Sequence, residues 1–117
     1  MTYLIACLST GKGSWTTVLK LISTNQFEKV FLITNNFGKE KFSAGKNTEL
    51  LVVDFEKPVK ALAKDIKQAL EKKIIDTEVA LNLSSGTGKE HMAIISALLQ
   101  SGLGIRFVDF ENDFIEV

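Results

Sequence analysis

The residues best equipped for chemistry stand together at Ser84-Ser85-Gly86-Thr87-Gly88-Lys89-Glu90-His91, directly after the apolar run Val79-Ala80-Leu81-Asn82-Leu83. A buried strand that empties into a small, polar, glycine-bearing turn and then into a helix leaves N–H groups of the turn and of the first helical turn without intrahelical acceptors. Such a joint suits an anion, above all a phosphate. Lys89 sharpens the reading, because it falls in the first helical turn, where the positive end of the helix dipole disfavours a cation unless an anion lies close. Capping accounts for part of the stretch, with Thr87 as cap and Glu90 completing a T-x-x-E box. It does not account for Ser84, Ser85 and the glycines that flank the lysine.

A second set of the same residue types, Ser9-Thr10-Gly11-Lys12-Gly13-Ser14, follows another apolar run at 3–8. Neither set is a Walker A motif. Leu83 stands where that pattern requires its first glycine, and Glu90 replaces the hydroxyl that would hold magnesium, which disfavours an NTP hydrolase. Gly11-Lys12-Gly13 lacks the G-x-G-x-x-G spacing of a dinucleotide oxidoreductase. His91 is the single histidine and Cys7 the single cysteine, so no zinc site and no cofactor is expected, and His91 is read as a helix-surface or core residue. A Ser-His-Asp triad would need His91 to face Ser9, Ser84 or Ser85 with an acid behind it, and the spacing does not require this. Asp54 and Glu56 end a different apolar run, away from both sets, which disfavours metal-dependent chemistry.

The elements that must position these residues follow from periodicity. Apolar runs at 3–8, 29–34, 48–55, 77–83 and 105–110 read as strands, and 114–117 as a short edge strand pairing back as a hairpin. Trp15, Val18, Leu19 and Ile22 recur at helical spacing over 15–24, with Ser14 as the expected N-cap. Pro58 opens a second helix whose apolar stripe is Val59, Leu62, Ala63, Ile66, Ala69 and Leu70. The helix after Lys89 is apolar nearly all round, which calls for cover on more than one side, by its neighbours or by a second copy of the chain. The segment 37–47, with Lys39, Lys41 and Lys46, reads as a surface loop or short helical turn.

Composition sets outer bounds. A length of 117 residues with 45% hydrophobic and 24% charged content is that of a single soluble globular domain over 1–117. Fourteen basic and fourteen acidic residues leave no global field for gripping a long nucleic acid duplex. The lone Cys7 inside an apolar run suits a reducing compartment, and the N-terminal apolar run is too short for a signal peptide or membrane span. A cytoplasmic protein without a membrane partner is expected.

Strands alternating with helices predict an α/β fold, a Rossmann-like three-layer sandwich with a mostly parallel sheet of five or six strands in the order 3-2-1-4-5. In that order the winding reverses between the first and fourth strands, and ligands bind at the carboxyl ends of strands flanking such a reversal. The two hydroxyl, glycine and lysine loops should therefore meet at one crevice. The expected ligand-binding set is Gly11, Lys12, Gly13, Ser14, Ser84, Ser85, Gly86, Thr87 and Gly88, together with Asn35 at the end of the second strand. Lys12 and Lys89 would neutralise the charge of a small phosphate-bearing ligand.

Asn82-Leu83-Ser84-Ser85-Gly86-Thr87-Gly88-Lys89, followed by an apolar helix, resembles the fourth-strand motif of the CRISPR-associated Rossmann fold (CARF) domains. Ser9-Thr10-Gly11-Lys12-Gly13-Ser14 is similar to their first ligand-binding loop. The resemblance implies a homodimer that binds a cyclic oligoadenylate across its two-fold axis, in antiviral defence. In the ring nucleases of the family a ribose 2′-hydroxyl attacks the adjacent phosphate without metal. By that resemblance Lys89 would stabilise charge, Ser9 or Thr10 would be the positioning hydroxyl, and Ser85, Gly86 and Thr87 would hold phosphates. No basic recognition helix and no R-x-x-x-x-H ribonuclease motif accompanies these residues, so a stand-alone domain is expected, acting as a ligand sink, a ring-opening enzyme or a subunit of a larger assembly. Two other readings remain: a monomeric Rossmann-like module that binds a small nucleotide without cleaving it, and an interaction protein whose glycine loops are simply turns and caps.

Overall fold

Six strands and four helices alternate along the chain in a computed structural model, which describes residues 2–9 and 15–117. They are β1 (Thr2–Leu8), α1 (Trp15–Ser23), β2 (Phe27–Thr34), α2 (Asn36–Lys41), β3 (Thr48–Val52), α3 (Val59–Leu70), β4 (Glu78–Asn82), α4 (Gly88–Gln100), β5 (Gly104–Phe110) and β6 (Phe114–Glu116). They form one sheet in the order β3-β2-β1-β4-β5-β6, the order expected from the sequence with β6 as the added edge. The first five strands pair in parallel, and β6 returns antiparallel to β5.

β1 reads as a continuous apolar run because helices cover both of its faces. Ile5 and Cys7 point to the side holding Leu62 and Ile66 of α3 and Ile94 and Leu98 of α4. Leu4, Ala6 and Leu8 point to the side holding Trp15, Val18 and Leu21 of α1. Phe31 of β2 and Leu81 of β4 stand opposite Ile5 in register and are likewise fully buried. Among the described residues no helix is long and apolar enough to cross a membrane.

Strand ends depart from expectation for local reasons. β3 stops at Val52, short of 55, because the Asp54 carboxylate accepts from the Glu56 N–H at 2.9 Å and closes a turn. Within 37–47 the chain forms the six-residue helix α2, with Asn35 Oδ1 accepting from the Gly38 N–H at 3.1 Å. A Cβ on Gly38 would stand 1.8 Å from Thr34 Oγ1, so only glycine lets α2 lie this close to β2. The described residues do not cover α4 all round: Ala93, Ile94, Ala97 and Leu98 are buried, but Met92 and Leu99 are each 61% exposed.

Candidate functional site

β1 and β4 are neighbours, with Ala6 opposite Asn82, so their carboxyl ends open onto one rim. The Ser9 N–H donates to Ser85 Oγ at 3.1 Å, a buried bond across 76 residues of chain that joins the two strand ends directly. Trp15 Nε1 donates to the Ser9 carbonyl at 2.8 Å, and Thr34 Oγ1 donates to the Leu8 carbonyl at 2.8 Å. Ser9 and Ser85 are themselves buried. The start of the first loop is thereby fixed from three elements, β4–α4, α1 and β2.

The β4–α4 turn is fixed as closely. Asn82, buried at the end of β4, donates through Nδ2 to the Val108 carbonyl at 2.9 Å and accepts the Ser84 N–H at 3.2 Å, so one side chain sets both the β5 contact and the turn. Gly86 adopts φ +107°, and a Cβ there would lie 2.9 Å from Cys7 Sγ and 3.0 Å from His91 Nε2. Thr87 caps α4 by accepting the Glu90 N–H at 3.3 Å, while Glu90 accepts the Thr87 N–H at 2.9 Å. His91 Nε2 lies 2.8 Å from the Ser85 carbonyl. A carbonyl only accepts, so Nε2 carries the proton and a neutral ring presents Nδ1 as its acceptor. The histidine meets the backbone of Ser85 rather than a serine hydroxyl, an arrangement that positions the turn and does not activate a nucleophile. Beneath it, burial and secondarily the Glu90 carboxylate push the Cys7 thiol up, which keeps it protonated.

These structural bonds define what is left over for a ligand. The N–H groups of Gly88 and Lys89 have no acceptor among the described residues, and the exposed Lys89 ammonium has no acidic partner among them. Ser84 is exposed and its hydroxyl lies 3.3 Å from Asp109 Oδ1. Two free amides, a cation and the positive end of a 13-residue helix can hold an anion. Of the expected site residues, Ser9, Ser84, Ser85, Gly86, Thr87, Gly88 and Lys89 come together here. Asn35 caps α2 one strand further along the same rim. Thr10, Gly11, Lys12, Gly13 and Ser14 lie outside the described residues. Among the described residues no group of three or more His, Cys, Asp or Glu side chains could hold a metal ion.

Sequence reading missed the residues that hold the rim in shape: Trp15, Thr34, Asn82 and His91. A signal for two of them was present, because Thr34 and Asn82 are polar residues closing otherwise apolar strands, where a buried hydrogen-bonding group needs a partner. Compared with known proteins, the chain matches no protein-family model and no curated protein.

Proposed function

We propose that the β1/β4 rim binds a cyclic oligoadenylate, or a related short phosphate-bearing nucleotide, in a crevice completed by a second copy of the chain, as a CARF-like domain would. The observation that carries this reading is the Ser9–Ser85 bond, which ties the residue after β1 to the turn before Lys89, whose ammonium has no acidic partner among the described residues. In this role Ser85, Thr87 and Glu90 are the frame. The free amides of Gly88 and Lys89 hold the phosphate, and the Lys89 ammonium neutralises it. The second copy is supported by the outer face of α4, where Met92, Ile95 and Leu99 form an apolar stripe that begins one turn from Lys89. Pairing along that stripe brings two Lys89 residues toward one axis and covers apolar surface that the chain leaves open. The buried Cys7 suits a reducing interior, and we place the protein's action in the cytoplasm.

Incubation with cyclic oligoadenylates in EDTA tests the proposal. Binding that weakens on Lys89→Ala supports it, and absence of binding overturns it. The same incubation reads ring opening, for which Lys89 would stabilise the phosphoryl oxygens and Ser9 would help set the attacking 2′-oxygen in line. Linear products make the protein a ring nuclease, and an intact bound ring makes it a sensor or sink. One observation favours the structural alternative: Ser85, Thr87 and Glu90 are all hydrogen-bonded within the fold. On that reading Lys89→Ala changes no ligand affinity and slightly raises stability through the dipole.

A further inference from the structure

α3 and α4 pack side by side on one face of the sheet, and a groove of about 680 Å³ runs between their outer flanks. Its floor is apolar, because Val59 and Ala63 of α3 lie recessed beside Met92 of α4. Met92, Ser96 and Gln100 recur every fourth residue along one wall, and Lys60, Lys64 and Lys67 recur at i, i+4 and i+7 along the other. Each row is about 12 Å long, roughly two helical turns. The stripe assigned above to a second copy continues through Ile95 and Leu99, and of its residues only Met92 also lines the groove.

The α3 side of this groove is positively charged. Lys60, Lys64 and Lys67 are exposed and form no ion pair among the described residues. Asp65, the single acid of α3, is taken by Lys57 at 2.7 Å, and Glu90, the single acid of α4, is buried in its capping box. Glu71 lies past the end of α3 and lines the next hollow rather than this one. Lysine stems extend an apolar floor while their ammonium groups stay in water at its edge. The surface that fits is an apolar ridge edged with carboxylates, which an amphipathic helix of about eleven residues supplies with anchors at i, i+4 and i+7. A second copy of the chain does not supply it: α1 has no acidic residue, α2 spans six residues, and the acids of α3 and α4 are engaged. A bilayer takes protruding apolar side chains rather than a recessed floor, and a nucleic acid backbone gains nothing from Val59 and Ala63.

We propose that the α3/α4 groove docks an amphipathic helix of another protein, one whose apolar stripe is flanked by glutamate or aspartate. The apolar anchors lie over Val59, Ala63 and Met92, and the carboxylates meet Lys60, Lys64 and Lys67. This docking site is separate from the β1/β4 rim and does not depend on a nucleotide there.

The test is a fluorescence-anisotropy titration of the whole protein into two labelled peptides, each held helical by a side-chain bridge and carrying leucines at i, i+4 and i+7. One is flanked by glutamates and the other by lysines. The glutamate peptide should bind saturably and at least about tenfold more tightly than the lysine peptide. Lys64→Glu with Lys67→Glu, both at exposed positions, should weaken the glutamate peptide about tenfold or more. Lys41→Glu with Lys46→Glu makes the same change of net charge beside Phe42, which packs on the α1 side of the sheet, and should leave its affinity unchanged. Amide shifts on peptide binding should cluster in 59–67 and 92–100. Absence of binding, equal affinity for the two peptides, or equal weakening by the two double substitutions overturns the docking site. Vesicles of phosphatidylserine and phosphatidylcholine that bind the wild-type protein but not the Lys64→Glu, Lys67→Glu variant make this a membrane face and overturn it as well.

Discussion

Each residue at the β1/β4 rim either holds the turn or is left facing solvent, and substitutions should separate the two groups. Gly86 holds the turn: alanine there must adopt φ near +107° and press on Cys7, Glu90 and His91. Gly86→Ala should cost about 1–3 kcal/mol, read as a lowered urea midpoint. Cys7 is buried, and its thiol is pushed up by that burial and by Glu90. An aromatic disulfide reagent should leave it unmodified in the native protein and label it at the rate of global unfolding; rapid native labelling would show that the rim opens locally. Lys89 belongs to the other group, and Lys89→Ala should weaken nucleotide binding about tenfold or more with an unchanged or slightly raised melting temperature.

At the scale of elements, the β4–α4 joint is the part most dependent on local bonds. Thr87→Ala removes one half of the capping box and should cost about 1 kcal/mol, measurable by denaturant titration. The β5–β6 edge depends instead on charge, because Arg106 bonds to both Glu116 and Glu78. The Arg106 hydrogen bond holds the Glu116 carboxyl below the usual carboxylate range. A carboxyl depressed on folding lends stability that is complete above its unfolded value and lost as pH falls through the lower, folded value. The protection factor of the Val117 amide, which bonds the Phe107 carbonyl, should therefore be unchanged down to about pH 5 and fall in stronger acid. Glu116→Gln should flatten that acid response, and because the pair is exposed the effect on global stability should be small. These elements differ in how far the sequence revealed them. The strands and the helices α1, α3 and α4 were legible because their apolar periodicity is set by a core covering both sheet faces. The end of β3 and the short α2 were not, since side-chain bonds from Asp54 and Asn35 decide them and a hydropathy pattern carries no trace of such bonds.

For the whole molecule, the convergence of Ser9 and Ser85 was readable in advance because parallel order and crossover handedness leave few topologies for these elements. The hydrogen bonds that fix the rim were not, since Trp15, His91 and Asn82 reach it from different elements and their directions exist only once the sheet is assembled. The open side of α4 carries the prediction at this scale: the chain should sediment as a dimer, and replacing Met92 and Leu99 with glutamate should give a folded monomer that binds nucleotide more weakly. A wild-type monomer would remove the two-fold part of the account. The most direct measurement of the central claim is a calorimetric titration of a series of cyclic oligoadenylates into the wild-type protein and the Lys89→Ala variant, in EDTA. The account predicts saturable binding of one ring for every pair of chains, weakened about tenfold or more by the substitution. Absence of heat with every ring, or identical affinity in the two proteins, would contradict it.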